Sequence, residues 1–437
     1  MDDLELSARS LRSVEQFIRL ETVNMLIKRS AIEELIDSHE EYRKRCVNLV
    51  ASENALSPYV KRYLACDLVQ RYGDYIGRDL GARKYQGIKW VEKVENEVIT
   101  LAQEVFGTRY AELRAISGHI AGAAVIMALT KPGDTVLELG RDGGGHRMAA
   151  KLAMSPLISL DVKFLPFNPI LYNVDVTGAV EMIERYRPRM VILGSSNFLF
   201  PHPVRELADA LEQYPDTILA YDASHVFGLI AAGRFQDPLR EGAQVVFGST
   251  HKTLPGPQGG LILSNSEELM DSIAKALYPA LVTNHHLARI PALGVCLLEM
   301  KNWGTSYADQ IITNAQCLGE AIQAQGIDVV SANGRFSRSH TILLKVAPFG
   351  SGKEIASRLE EANIIVTAAH LPQALGTEGI RIGVQEITRL GAKEDDMEPL
   401  AKMIADVITG RRAPHEIALS AQEYANQFQA VKFTWET

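Results

Sequence analysis

A lysine stands in GSTHKTLPGPQGG, residues 248–260, at the end of an apolar run and ahead of a Gly/Pro loop. Lys252 in that setting is positioned rather than solvated. Burial disfavours its ammonium form, lowers the pKa and leaves a nucleophile toward carbonyl carbon. Ser249, Thr250 and His251 precede it in the same loop. One unit upstream, YDASH (221–225) ends another apolar run. Asp222 there either caps the following helix or pairs with a protonated pyridine nitrogen and keeps that ring an electron sink. His225 follows three residues later. Ser117, Gly118 and His119 open SGHIAGAA (117–124), a small hydroxyl-bearing turn leading into an apolar helix. Such a turn is either an ordinary capped helix or a place where free N–H groups and the positive helix end receive a phosphate. GRDGGGHR (140–147) uses glycines to turn sharply and presents His146, whose flat ring can stack on a flat cofactor. In EGIRIG (378–383), Arg381 either takes a carboxylate through two parallel hydrogen bonds or forms a surface ion pair. A nucleophilic lysine, an acid for a ring nitrogen, a phosphate turn and a carboxylate-binding arginine together point to amino-acid chemistry on pyridoxal phosphate.

The elements that must hold these residues are short. DTVLEL (134–139), VKFLPF (162–167), MVILGS (190–195), TILAYD (217–222), QVVFGS (244–249) and GLILSN (260–265) are apolar runs, most of them separated by helical segments. They read as buried parallel strands of an α/β sheet. Ligands in such sheets bind beyond the carboxyl ends of the strands, where Asp222 and Lys252 lie. Helical periodicity covers 11–45 and 91–106. A long connecting helix is expected over 284–306, a further helix near 309–325, strands near 341–347 and 363–367, and a last helix near 394–409. The tail from Pro414 has no assigned structure. The expected organisation is a helical arm (1–55), a large domain (56–283) and a connecting helix with a smaller α+β domain (284–437).

Composition narrows the class. The chain has 437 residues, 46% hydrophobic and 22% charged, with net charge −8. That is enough for two domains with substantial cores, and no Lys/Arg block suggests a nucleic-acid face. The four cysteines, Cys46, Cys66, Cys296 and Cys317, form no CxxC or metal-ligand spacing, so buried reduced thiols and no metal are expected. No apolar run is long enough to cross a membrane and the N-terminus is no secretory signal, so a cytoplasmic enzyme is expected.

VASEN (50–54), STHKTLPGP (249–257) and RIGVQEITRLG (381–391) follow one another in the order seen in the serine hydroxymethyltransferase family. From about Asn48 to Gly391 the chain resembles that family, of the aspartate-aminotransferase-like, fold type I architecture. The resemblance implies that Lys252 forms the Schiff base with pyridoxal phosphate, Asp222 pairs with the pyridine nitrogen, His225 approaches the ring hydroxyl and His146 stacks on the ring. It places Ser117, Gly118 and His119 at the phosphate turn, with Ser196, Ser249, Thr250 and His251 as further cofactor contacts. Arg381 takes the amino-acid carboxylate, and Ser52 and Tyr85 lie near the substrate. Tyr72 and Tyr85 match active-site tyrosines. The site is built at a subunit interface, which implies a homodimer or a dimer of dimers.

The departures from the pattern carry information. Asp74, in YGD, stands where the family usually has Glu, and is one methylene shorter. GPRGG is GPQGG here, with Gln258. The glycine-rich loop that normally reaches a partner's phosphate is replaced by YPALVTNHHLARIP (278–291). His285 and His286 either replace those phosphate contacts or form an exposed helix start. The segment before Arg381 that helps hold folate is shortened, and the TPA after the family's Arg is VQE (384–386). These changes resemble the threonine transaldolase branch, which cleaves threonine to acetaldehyde and adds the remaining glycine unit to another aldehyde without folate. That branch is associated with specialised metabolism, so a biosynthetic role is expected. The substrates expected are an amino acid and an aldehyde, with Asp74, Tyr72, Tyr85 and His119 as candidates for moving the β-hydroxyl proton. A folate-dependent serine or α-methylserine hydroxymethyltransferase is the alternative, and a non-catalytic binding protein on the same fold a more distant one.

Overall fold

The computed structural model describes residues 30–156 and 158–436. Residues 30–45 are helical; the part of the expected arm before them, 1–29, lies outside the described residues.

Seven strands form the main sheet: β1 (Tyr110–Glu112), β2 (Thr135–Leu139), β3 (Asp161–Leu165), β4 (Met190–Leu193), β5 (Ile218–Asp222), β6 (Val245–Ser249) and β7 (Gly260–Ser264). Their order is β1-β7-β6-β5-β4-β2-β3. The pairs β2/β3, β2/β4, β4/β5 and β5/β6 are parallel. The chain moves outward from β2 to β3 and then returns to place β4 on the other side of β2. That reversal opens a crevice beyond the strand ends, and the glycine turn after β2 and the Gly194–Ser196 turn after β4 flank it.

GLILSN was expected among the parallel strands, but β7 runs antiparallel to β6 and to β1. The reason is the length of its connection. Residues 250–259 are too few for a crossover, which needs a dozen or more residues, and suffice for an antiparallel return. That return loop carries Lys252. β1 itself escaped the sequence reading because an edge strand of three residues has no periodicity to detect.

Helix α1 (Val91–Phe106) lies where its periodicity put it, and ends on Gly107 at φ +60. Helix α2 (Gly118–Leu129) is apolar on every side, and its residues from Ala121 to Ile126 are all buried. It packs between the sheet and the helix Glu267–Lys275, which is the usual place for a helix without a polar face. The two helices expected at 284–306 and 309–325 are one, α3 (Arg289–Ala324), 36 residues long and so about 54 Å from end to end. It runs along both halves of the molecule.

The C-terminal part holds a three-stranded antiparallel sheet, β8 (Thr341–Lys345), β9 (Thr367–His370) and β10 (Glu378–Gly383), in the order β8-β10-β9. Helix α4 (Gly352–Glu361) packs on it, and α5 (Met397–Thr409) and α6 (Pro414–Ala425) pack on α4 and on each other. The last of these forms much of the tail, fastened where Tyr424 Oη donates to Asp396 O at 2.9 Å. The expected strand at 363–367 divides: Ile364–Ile365 pairs in parallel with Val47–Asn48, and Thr367 begins β9. The end of the N-terminal segment is therefore built into the C-terminal part rather than standing off as an arm. Cys46 and Cys296 are buried, whereas Cys66 and Cys317 are only half-buried. Among the described residues no helix is long and apolar enough to cross a membrane, and no cluster of His, Cys, Asp and Glu could hold a metal.

Candidate active site

At the carboxyl ends of β4, β5 and β6 lies a cavity of about 230 Å³. Lys252, Asp222 and His225 line it from the turns after β5 and β6; Ser117, Gly118 and His119 line it from the start of α2; His146 and Ser196 close its sides. Burial pushes the Lys252 amine down from an ordinary 10.5 to about 8; Asp222 opposes this and Arg381 adds to it. Asn54 Nδ2 donates to the Lys252 carbonyl at 2.6 Å, which fixes the backbone from which the amine projects. An observable consequence follows for the protein stripped of cofactor. Capture of pyridoxal phosphate requires the neutral amine, whose fraction grows about tenfold per pH unit below the pKa. Stopped-flow absorbance should show the capture rate rising with pH up to about 8 and then levelling. A lysine at its ordinary value would keep accelerating past pH 10.

The phosphate turn is cramped by design of its residue types. Ser117 caps α2, its Oγ accepting from Ile120 N at 3.1 Å, so the side chain is used and the next backbone N–H groups stay available. A Cβ on Gly118 would lie 2.3 Å from Ser249 Oγ and 2.7 Å from Ser249 N. Only glycine allows α2 to approach β6 so closely. Gly194, at φ +136, plays the same part after β4, where a Cβ would meet Asp222 O at 2.6 Å.

Three polar atoms near the cavity are buried without any protein partner: His146 Nδ1, His251 Nδ1 and Arg381 Nε. Unsatisfied buried groups are rare and costly, and these fit a polar ligand such as pyridoxal phosphate with an amino acid. Burial lowers the pKa values of His146 and His119, and takes His251 down to about 4. The rings of His119 and His146 meet edge to face at 5.7 Å. Arg381 reaches the site from β10; its Nη1 donates to Ser196 O at 2.8 Å, and burial makes its guanidinium easier to deprotonate than usual.

Other expected residues are not at this cavity. Thr250 is fully buried and its hydroxyl donates to Pro257 O at 2.6 Å; it shapes the lysine loop and does not line the site. His285 is turned inward, with Nε2 2.8 Å from Glu95 Oε1 and Nδ1 3.5 Å from Asp74 Oδ1. Both ring nitrogens thus face carboxylates of their own chain, which leaves neither for a phosphate. Glu95 also pairs with Arg83, so Asp74 belongs to a buried charged cluster. His286 is exposed, in the left-handed region at φ +54, and fits the reading as an exposed helix start. Tyr72 and Tyr85 lean on one another at 5.5 Å and are 49% and 40% exposed. Ser52 is half-buried in the segment 49–54.

That segment carries neighbours the sequence reading missed. Gln385 Nε2 donates to Val50 O at 2.9 Å and Glu53 O at 2.7 Å. Tyr307 Oη donates to Gln385 O and accepts from Asn54 Nδ2, both at 2.9 Å. The glutamine is one of the departures noted in VQE, and Asn54 stands in VASEN. Each was visible as a motif letter, but their meeting through Tyr307 depends on tertiary contacts 78 to 335 residues apart in sequence.

The serine hydroxymethyltransferase family profile matches residues 27–404. A serine hydroxymethyltransferase of Methanopyrus kandleri is 43% identical over 403 residues, covering 91% of this chain and 93% of the relative. One from Aeropyrum pernix is 39% identical, covering 94% of each. Among solved structures, an L-threonine transaldolase from Pseudomonas fluorescens in its internal aldimine state matches with a TM-score of 0.88 at 29% identity, over 95% of both chains.

Proposed function

Because the chain belongs to the serine hydroxymethyltransferase family and is a pyridoxal-phosphate-dependent transferase, we propose that it acts as a threonine transaldolase. Threonine and an aldehyde would give a new β-hydroxy-α-amino acid and acetaldehyde. The observation that carries this reading is one cavity walled by Lys252, Asp222 and His119, with Arg381 tied to its rim. When bound, pyridoxal phosphate supplies the electron sink for Cα–Cβ cleavage, and Lys252, Asp222, His225 and His146 are the residues that would hold it.

The chain's own residues do the rest. Arg381 receives the carboxylate of the amino acid and orients the Cα–Cβ bond. Of the four candidates for moving the β-hydroxyl proton, His119 is the one that lines the cavity. Its lowered pKa keeps it neutral near pH 7, as a base must be, so it takes the proton during cleavage and returns one to the acceptor oxygen. Asp74 is engaged in its buried cluster, and we assign it a supporting part. Tyr72 and Tyr85 touch one another and are exposed, as are Ile76 and Trp90 near them in sequence, and we propose that a second copy of the chain covers the two tyrosines in a homodimer. The shortened segment before Arg381 supports the folate-free reading: its β9 ends on His370, whose Nε2 lies 3.0 Å from Asp142 Oδ1 in the glycine turn.

Arg381→Ala should raise KM for threonine far more than it lowers cofactor binding. Hydrogen bonds to a charged group contribute about 1.5–3 kcal/mol, so kcat/KM should fall roughly 10- to 100-fold, as steady-state kinetics would show.

Serine hydroxymethyltransferase activity is the second reading, favoured by the 43% identity to a relative of that name. The two separate cleanly. Acetaldehyde release from threonine without folate, coupled to consumption of an added aldehyde, supports the transaldolase. No acetaldehyde, with efficient tetrahydrofolate-dependent conversion of serine to glycine, overturns it.

A further inference from the structure

His225 lines the cavity, yet its Nδ1 points away from it, 3.4 Å from Nε2 of His340. The two rings are buried and nearly parallel, 18° apart, with centroids separated by 5.5 Å. His340 stands directly before β8 and plays no part in the chemistry above. Its Nε2 is also 3.1 Å from Ala51 O and 3.1 Å from Thr341 Oγ1. Its Nδ1 is buried with no partner.

These contacts determine where the protons sit. A neutral imidazole carries one proton, on one of two nitrogens. Burial keeps both rings neutral, holding His225 well below its ordinary value and His340 at about 3; the Lys252 and Arg381 cations act in the same direction on each. A proton on His340 Nδ1 would be a buried donor without an acceptor, and the Nε2 lone pair would then face the lone pairs of the Ala51 carbonyl. Both are costly. A proton on Nε2 donates to Ala51 O and leaves only an unused acceptor. His340 is therefore the Nε2–H form. His225 Nδ1 faces that N–H and must present a lone pair, which places the His225 proton on Nε2, the nitrogen left for the cavity.

We propose that His340 is a positioning residue: it fixes His225 as the Nε2–H tautomer, so that the ring offers a hydrogen-bond donor to the ring oxygen of the cofactor. This rests on the proposal that His225 approaches the cofactor's ring hydroxyl, and does not depend on which aldehyde is used. The chain Ala51–His340–His225 thereby links the N-terminal segment and the C-terminal sheet to the cofactor.

Histidine tautomers are read directly by two-bond ¹H–¹⁵N correlation spectra of full-length protein labelled with ¹⁵N-histidine, with and without pyridoxal phosphate. Peaks are assigned with His225→Gln and His340→Gln. In the parent protein, His225 and His340 should each show an unprotonated Nδ1 and a protonated Nε2. His340→Phe keeps a flat ring but removes the N–H that faces the His225 Nδ1 lone pair, so the His225 ¹⁵Nδ1 signal should move toward that of a nitrogen without a hydrogen-bond donor and the cofactor Kd should rise about tenfold, the loss of roughly one hydrogen bond. His340→Gln, whose amide can donate from the same place, should restore the parent ¹⁵Nδ1 signal and cofactor Kd. A protonated His225 Nδ1 in the parent, or a His225 ¹⁵Nδ1 signal and cofactor Kd unchanged in His340→Phe, overturns the proposal. Should His340→Phe fail to fold, the parent spectrum still decides. The threonine assay is independent of these spectra, so failure of one reading is not failure of the other.

Discussion

Lys252→Ala is expected to reduce threonine turnover to background and to remove the absorbance band that the lysine forms with the cofactor. No other lysine among the described residues lines the cavity, and the Lys252 backbone is held by Asn54, so a neighbouring amine cannot be brought in cheaply. Loss of activity should not be loss of fold. The pKa of this amine is depressed in the folded protein, from 10.5 to about 8. Folding therefore disfavours its protonated form: the penalty grows as pH falls from the unfolded value to the folded one and is fully present below about 8. At pH 7 and without cofactor the alanine variant escapes that penalty, and its melting temperature should not fall below that of the cofactor-free parent. Activity retained in the variant would show that another residue anchors the cofactor.

His119→Asn should lower kcat by about 10²- to 10⁴-fold, the usual contribution of a positioned general base. The backbone N–H at 119 remains, and α2 is capped by Ser117 rather than by His119. Cofactor affinity should therefore stay near that of the parent, and the loss should appear in kcat. The pH profile offers a second check. Burial lowers the His119 pKa from 6.5, with the Lys151 cation adding to this and Asp222 opposing it. A group that must be neutral to act loses activity as pH falls through its pKa, so the acidic limb in the parent should lie below 6.5 and be absent in the residual rate of the variant. An unchanged kcat would move the proton-transfer role to Tyr72 or Tyr85 of a neighbouring copy.

Local residue patterns made much of this architecture legible. Six apolar runs lie at six strands, because buried strands are continuous in β-branched and aliphatic residues. What the pattern could not show was direction. β7 is as apolar as its neighbours, and only the length of the 250–259 loop reveals that it runs the other way. The continuity of α3 was hidden by Gly304, a weak helix residue that sits against Met300 and Ala232, where a larger residue would be crowded. At the site, Lys252, Asp222, His225, His146 and His119 were singled out because each ends a strand or opens a helix, and the sheet brings such ends together. Thr250 and His285 carry equally suggestive side chains, yet one bonds to Pro257 O and the other faces Asp74 and Glu95. Side-chain direction within a loop is set by tertiary packing, which no spacing rule contains. His340 is the reverse case: nothing in SRSHTILLKV marks it, and its meaning lies in three contacts made by one nitrogen.

The central claim is that Lys252 holds the cofactor covalently. Reduction of the pyridoxal-phosphate-loaded protein with borohydride converts the imine to a stable secondary amine, and peptide mapping by mass spectrometry then locates it. The expected result is a single phosphopyridoxyl adduct on the peptide that contains Lys252. An unmodified Lys252, or an adduct placed reproducibly on another lysine, would contradict the account.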